Sequence, residues 1–389
     1  MNVPKLRFKE FTDEWKQTPL KNIIYSNIIE APKPTTDYIR LGIRSHCKGT
    51  FHELVKIENI LSADKMYIVP KNNLILNITF AWEQAIAITD DNDEGKYISN
   101  RFPTFAFKDN QLPTFYKYII PQKRLKYDLN VASPGGAGRN RVLNKKLFLS
   151  IPVNIPLLKE QEKIAKFLTT VDKKITNLEN TITSLENQKE GLLQQIFSQK
   201  LRFKDKNSNN YPNWEKKKLE DISNITMGQS PDSDFVNTEK IGTPFLQGNA
   251  EFTNKYPIEK YWCTKPQKIA NPTDILLSVR APVGAINIAN KKFCIGRGLS
   301  AISFNCNKLF GKYNLEFNLF QLIKKSQGST FSSINKKDIS EVILFIPCLE
   351  EQTKIADFLS AFDRKLENQK AQLEHWKQIK KGLLQQMFV

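Results

Sequence analysis

The stretch KEGLLQQIFSQKLRFK, residues 189–204, is made of two halves that each occur once more, at opposite ends of the chain. Its first half returns as KKGLLQQMF at 380–388, and its second as KLRFK at 5–9. An internal segment that joins the two chain ends is the trace of a tandem repeat whose unit is cut at a different point from the chain. Other pairs agree. IPLLKEQEKIAKFL (155–168) matches IPCLEEQTKIADFL (346–359) at a separation of 191 residues, the same as for the GLLQQ pair. LRFKEFTDEWKQTPLKNI, from residue 6, is similar to LRFKDKNSNNYPNWEKKKLEDI at 201–222. Both place a tryptophan, Trp15 or Trp214, shortly before a Leu-Lys or Leu-Glu step.

The segments that follow the IP…EQ motifs have helical spacing. Val171, Ile175, Leu178, Ile182, Leu185, Leu192 and Ile196 fall on alternating four- and three-residue steps, with Lys189 filling one place. Phe362, Leu366, Leu373, Trp376, Leu383 and Met387 repeat the pattern, with Gln369 and Lys380 filling the same register. These are heptad seams. Neither run contains proline, while Pro156 and Pro347 lie just before each, where a missing N–H costs little. Each helix spans roughly 40 residues, about 60 Å at ~1.5 Å per residue. A stripe that long needs a partner, and each helix is the other's obvious one, antiparallel if the halves obey a pseudo-two-fold. The competing arrangement is two unrelated helices, each packed on its own domain.

The long segments between the helices read as mixed α/β, with short β-branched runs broken by Pro, Asn and Asp. LILNITFAWEQAIAI (74–88) lies over ILLSVRAPVGAINI (from residue 275) with a one-residue gap. The predicted fold class is therefore α+β: two mixed α/β domains joined by two long antiparallel coiled-coil helices in a circular repeat. The divisions are a first domain at 1–156, a spacer helix at 157–200, a second domain at 201–347 and a second helix at 348–389.

Charge follows the same division. The net charge is +18. Residues 1–156 hold 23 Lys and Arg against 15 Asp and Glu, and residues 201–347 hold 21 against 13, an excess of +8 in each. The two helical segments hold 7 against 6 apiece. A basic excess confined to the two domains points to a polyanionic partner there. Five cysteines, Cys47, Cys263, Cys294, Cys306 and Cys348, do not suit a disulfide framework or a zinc ribbon, and a reducing cytoplasm is the simplest setting. No run is apolar enough for a membrane span, and MNVPKLRFKEF lacks the apolar core of a signal peptide.

Catalytic signatures are missing. There is no GxxxxGK[ST] loop. Asn271-Pro272-Thr273 stops short of the Asn/Asp-Pro-Pro-aromatic motif of amino-methyltransferases, and GGAGRN (135–140) fails GxGxxG spacing. His46, His52 and His375 cannot form an HExxH site. DDNDEGK (90–96) offers Asp90, Asp91, Glu94 and Lys96 in a nuclease-like order, but an acidic turn between strands is the commoner meaning, and the matching IANKKF carries no acid. No catalytic and no metal-binding residue is expected.

These residues carry a resemblance. The EQEKIAKFL and EQTKIADFL helices, MGQSPDS (227–233), LLSVRAPVGAINIA (276–289) and CIGRGLSAI (294–302) resemble the specificity subunits of type I restriction–modification systems. LILNITFAWEQAIAI with SNRFPTFAF (99–107) is similar to another subtype of the same target-recognition domain. The resemblance covers essentially the whole chain. It implies that each domain reads one half of a split double-stranded DNA site and that the helices set the gap. It also implies docking of two methyltransferase subunits and, in the full complex, of two restriction–translocase subunits. S-adenosylmethionine, ATP and Mg²⁺ would sit on those partners, none on this chain. The rival reading is a stand-alone DNA-binding or coiled-coil architectural protein; an enzyme on nucleic acid ranks below it.

Under that implication, phosphate contacts give affinity and base edges give specificity. Readers should be polar residues in loops where the two halves differ, with Arg suited to guanine and Asn or Gln to adenine. The candidates are Arg40, Arg44, Thr79, Arg101, Arg139, Asn140 and Arg141 in the first domain. In the second they are Gln247, Asn249, Arg280, Arg297, Ser329 and Thr330. Arg101 and Arg297 occupy comparable places, as do the loops GAGRNR and GSTF. The helical positions that match between copies, Ile164, Phe167, Leu168, Leu192 and Leu193 with Ile355, Phe358, Leu359, Leu383 and Leu384, are candidates for methyltransferase docking. Core packing is the competing explanation for them.

Overall fold

The computed structural model describes residues 3–59, 65–135, 141–253, 256–327 and 333–389. The chain forms two compact units, residues 1–178 with 372–389 and residues 179–371. Each unit therefore owns one globular domain and a length of both long helices. The central helix runs Leu158–Phe197 and the C-terminal helix Leu349–Gln386.

In the first unit, strand Lys16–Pro19 pairs antiparallel with Pro152–Ile155 at the base of the domain. Four strands form one sheet in the order Ile24–Ser26, Thr104–Phe107, Leu74–Leu76, Ile86–Ile88. Five form another, in the order Ile29–Ala31, Met66–Ile68, Tyr97–Ile98, Tyr38–Ile43, Thr50–Val55. Short helices Pro113–Ile119, Lys123–Val131 and Lys145–Ser150 cover the core. That core joins Trp15, Phe105, Phe115 and Phe148 to Ile164 and Leu168 of the central helix and Met387 at the end of the C-terminal helix.

The second unit repeats the plan. Glu215–Lys218 pairs with Ile343–Ile346. The four-stranded sheet runs Ser223–Met227, Leu299–Phe304, Ile275–Ser278, Ile286–Ile288. The core joins Trp214, Phe310 and Tyr313 to Ile196 and Phe197 of the central helix and Ile355 and Leu359 of the C-terminal one. The alignment read from sequence is reproduced in register: Leu74 faces Ile88 as Ile275 faces Ile288.

The five-stranded sheets differ. In the second unit the order is Val236–Asn237, Tyr261–Cys263, Thr243–Leu246, Phe293–Ile295, Ile269–Ala270. Each sheet keeps one parallel pair at its centre, Tyr38–Ile43 with Tyr97–Ile98 and Thr243–Leu246 with Phe293–Ile295. The first strand in sequence, however, lies on opposite edges of the two sheets. A two- or three-residue edge strand is held by few ladder bonds, so it can move between edges while the inner strands stay.

Antiparallel pairing of the long helices is visible inside each unit. Lys380 Nζ lies 2.6 Å from Asp172 Oδ1 in the first. In the second, Lys189 Nζ lies 2.6 Å from Asp363 Oδ1, and Lys370 Nζ 2.7 Å from Glu186 Oε1. Val171, Leu178, Ile182 and Leu185 are buried, whereas Phe362, Leu366, Leu373 and Trp376 are half-buried. The helix ends also explain the repeat at the chain ends. The Leu201 N–H donates to the Gln195 carbonyl at 3.0 Å, where Gln199 turns left-handed and stops the central helix. The Leu6 N–H donates to the Gln386 carbonyl at 2.9 Å. The same junction is made once within a continuous chain and once between its two ends.

Candidate nucleic-acid interface and its mounting

The EQ and LRFK motifs meet in a buried clamp, made twice. Glu160 accepts two hydrogen bonds from Arg7, from Nε and Nη2, both 2.8 Å, and one from the Trp15 indole at 3.3 Å. Glu351 accepts the same pair from Arg202, both 2.8 Å, and one from the Trp214 indole at 3.0 Å. Both carboxylates are buried, at 2% and 0% exposure. A buried charge needs such pairing, and the forked guanidinium matches both carboxylate oxygens. The bond from Glu160 holds the Arg7 guanidinium above its ordinary pKa. The neighbouring glutamines bind locally: Gln161 donates to the Pro156 carbonyl at 3.0 Å and Gln352 to the Pro347 carbonyl at 2.9 Å. Sequence reading found these motifs as repeat markers and missed their pairing; the shared order of Arg, Trp and Glu in both copies, at spacings that differ by a few residues, was the available signal.

A second tie was also missed. The Tyr118 hydroxyl donates to Asp172 Oδ2 at 2.9 Å, and the Tyr313 hydroxyl to Asp363 Oδ2 at 2.7 Å. Burial pushes both phenol pKa values up, so both remain donors across the accessible pH range.

Each domain gathers several loops into one cluster, its apex. In the first, the Ile78 N–H donates to the Arg101 carbonyl at 3.0 Å, and the Leu143 N–H donates to the Ile78 carbonyl at 2.9 Å. Three distant segments thus close around Thr79. The Trp82 indole donates to the Thr79 carbonyl at 3.2 Å, and Arg141 lies over the Trp82 ring, 5.2 Å from its centroid, while bonding the Ser133 carbonyl. The same turn receives the segment after Arg44: the His46 N–H donates to the Glu83 carbonyl at 2.7 Å and the Cys47 N–H to the Gln84 carbonyl at 2.9 Å. His46, Cys47 and Gln84 all have positive φ, 62°, 52° and 58°, so three non-glycine residues hold a conformation that costs energy at one place. Thr79, Arg101 and Arg141 are therefore brought together, with Arg44 adjacent over Phe51. Arg40 is apart, on strand Tyr38–Ile43, where Nη2 pairs with Glu53 at 2.7 Å. Exposed Phe80 and Val142 flank the apex and were not nominated from sequence.

The second domain closes the same way. The Val279 N–H donates to the Gly298 carbonyl at 2.9 Å, and the Ile334 N–H to the Val279 carbonyl at 3.0 Å. Exposed Arg280 bridges to Ser333. The Arg297 N–H meets Ser230 Oγ at 3.3 Å, and the Gly296 N–H meets the Leu246 carbonyl at 2.8 Å, next to exposed Gln247. The glycines are required here. A Cβ on Gly228 would come within 2.2 Å of the Gly296 carbonyl oxygen, and one on Gly298 within 2.8 Å of that of Gln247. Gln247, Arg280 and Arg297 thus share one surface, with half-buried Asn249 in the next turn, Asn249–Glu251. Arg139, Asn140, Ser329 and Thr330 lie outside the described residues.

The helix candidates need correction. Ile164, Leu168, Ile355 and Leu359 are 0–2% exposed and belong to the domain cores, so they present no docking surface. Leu193, Leu383 and Leu384 pack, partly buried, against the same cores. Leu192 is half-buried. Phe167 is exposed and edge-on to Phe8, and Phe358 meets Phe203 in the matching place. The acidic run is a turn: Asp93 is buried and accepts from Thr50 Oγ1 at 2.9 Å, with His52 Nε2 also at 2.9 Å. Lys71 lies near Asp91 and Glu94. Among the described residues no group of His, Cys, Asp and Glu could hold a metal ion, and no helix is long and apolar enough to cross a membrane.

The comparisons fit this geometry. A family model described as the type I restriction modification DNA specificity domain matches twice, over residues 17–187 and 211–375. The putative type I restriction enzyme MjaX specificity subunit of Methanocaldococcus jannaschii is 37% identical over 408 residues, 98% of this chain and 95% of that protein. Among solved structures, one from a study of complex assembly and conformational transition of the type I R-M system superposes with a TM-score of 0.59. It is 25% identical and covers 95% of this chain and 96% of the other. The type I S subunit from M. genitalium shares the fold, with a TM-score of 0.63 at 15% identity over 100% and 99% of the two chains. Matched twice in tandem, once per domain and adjoining helix, the chain belongs to the family of type I restriction–modification DNA specificity subunits.

Proposed function

We propose that this chain reads a two-part DNA site, one half with each domain, and aims adenine methylation and restriction carried out by partner subunits. The observation that carries this is the paired apex. The same backbone closure, Ile78 to Arg101 and Leu143 in one unit and Val279 to Gly298 and Ile334 in the other, presents different polar side chains. Thr79, Arg101 and Arg141 stand in one; Gln247, Arg280 and Arg297 stand in the other. A common frame with different readers is what recognition of two different half-sites needs. The +8 excess of each domain supplies phosphate attraction.

Two methyltransferase subunits and two restriction–translocase subunits are the partners this reading requires. They would carry S-adenosylmethionine, ATP and Mg²⁺, and this chain would bind none of them. Exposed Phe167 and half-buried Leu192, which belong to neither domain core, are the proposed docking positions. The experiment is a domain exchange. Residues 201–347 are replaced by those of a relative of known specificity, and the methylome is sequenced. One half of the recognised site should change while the other stays; a change in both halves would overturn the modular reading.

A further inference from the structure

Lys189 and Lys380 occupy places in the heptad seam that an apolar residue would ordinarily fill. Each meets an aspartate of the opposing helix at 2.6 Å: Lys380 meets Asp172, and Lys189 meets Asp363. The second oxygen of each aspartate accepts a hydrogen bond from the recognition domain. Tyr118 of helix Pro113–Ile119 donates to Asp172, and Tyr313 of helix Lys308–Asn318 donates to Asp363. Lys189 also lies over the Tyr313 ring, 5.4 Å from its centroid. One carboxylate thus links three elements: its own helix, the opposing helix and the domain.

Such a pair is poorly explained by stability. With side chains 22–36% exposed, such ion pairs contribute little to stability, whereas a polar residue in a seam selects one register. A slip of one heptad would set Asp172 against Leu373 or Met387, and Asp363 against Ile182 or Ile196. Each unit would then hold an unpaired carboxylate and an unpaired ammonium in an apolar seam. The wrong registers are penalised twice over, by the same device in both units.

We infer that Tyr118, Asp172 and Lys380, with Tyr313, Asp363 and Lys189, are positioning residues that select the helix register and thereby the gap between the two DNA half-sites. They read no base. The inference rests on the two-part reading proposed above. A heptad slip moves one helix past the other by about 10 Å at ~1.5 Å per residue, or about three base pairs at ~3.4 Å each.

The test expresses the full chain with its methyltransferase subunit in a host free of other adenine methylation, and sequences the methylome. Two variants are compared with the wild type. One carries Lys189→Met and Lys380→Met; the other exchanges the charges through Lys189→Asp, Asp363→Lys, Asp172→Lys and Lys380→Asp. The methionine variant should keep the bases of both halves while sites with a second gap length rise at least tenfold. The purified variant should unfold on heating within a few degrees of the wild type, because partly exposed ion pairs add little stability. The exchanged chain should return to a single gap. A methionine variant confined to the wild-type gap would overturn the inference. So would loss of methylation that charge exchange does not restore, since that marks a merely structural role. Absence of any two-part motif with the wild-type chain would overturn the underlying reading itself, and is distinguishable because it needs no variant.

Discussion

Replacing Glu351 by alanine removes the acceptor for three hydrogen bonds at a position with 0% exposure. Two consequences set the magnitude. Breaking a buried ion pair from one side costs about 3–5 kcal/mol because the other charge stays behind. The Arg202 side chain keeps 21% exposure, so water can recover part of that, favouring the low end of the range. The Trp214 indole is left without an acceptor in a core position, which adds about 1 kcal/mol. The expected loss is about 3–4 kcal/mol, confined to the unit that holds Glu351. A chain of two units need not unfold in one step, so the assay is native-state hydrogen exchange read segment by segment. Amides of the paired strands Glu215–Lys218 and Ile343–Ile346 should exchange at least about a hundredfold faster, at ~1.4 kcal/mol per factor of ten. Lys16–Pro19 and Pro152–Ile155 should keep their protection, and Glu160→Ala should reverse the pattern. Glu351→Gln, which keeps the shape and loses the charge, should fall between. A change below threefold in Glu215–Lys218 for Glu351→Ala would refute the clamp as the element that mounts the domain on its helix.

Other outcomes follow from the same coordinates. Ile164→Ala and Ile355→Ala should each cost about 2–5 kcal/mol as core truncations, whereas Phe167→Ala should cost under about 1 kcal/mol and instead weaken copurification of the methyltransferase subunit. Burial pushes the Cys47, Cys294 and Cys306 thiols up to about 12, 12 and 11, with Cys263 adding to the effect at Cys294. The folded state then holds protons that the unfolded chain releases from its ordinary value near 9 upward, so stability should be constant below that pH and fall as pH rises toward those values. Denaturant titration between pH 8 and 11 checks this, and thiol labelling at pH 8 should leave all three largely unmodified. Arg297→Ala should weaken binding of cognate duplex by about 1–3 kcal/mol and relax one base position without changing the other half-site.

Much of the architecture was legible because the chain states its plan twice. The hairpin Leu74–Ile88 could be laid on Ile275–Ile288 before any coordinates, since β-branched runs and their separation survive divergence. The helix seams were legible for the same reason. At four of the matched apolar positions a shared core, and no shared partner, accounts for the match. Ile164, Leu168, Ile355 and Leu359 match because both domains bury the same helix turn. Period alone does not tell a stripe facing a core from one facing a partner. The clamps were invisible for another reason: Glu160 and Glu351 look like ordinary first-turn acids, and their arginines lie about 150 residues away in sequence. The different edge taken by the first strand in each five-stranded sheet left no mark in residue type, because strands of two or three residues carry too little pattern. Of the nominated readers, Thr79, Arg101 and Arg141 do converge, as do Gln247, Arg280 and Arg297. Loop position and divergence between copies nominated all of them; Arg40, nominated on the same ground, instead lies on a strand and pairs with Glu53.

The central claim is that two domains of one design read two separate half-sites. Single-molecule methylome sequencing of a strain expressing this chain with its methyltransferase subunit tests it most directly. The account predicts one modified motif with two specified halves, different from each other, divided by a gap of fixed length and free sequence. A continuous motif, or two halves reading the same bases despite the different residues at the two apices, would contradict it.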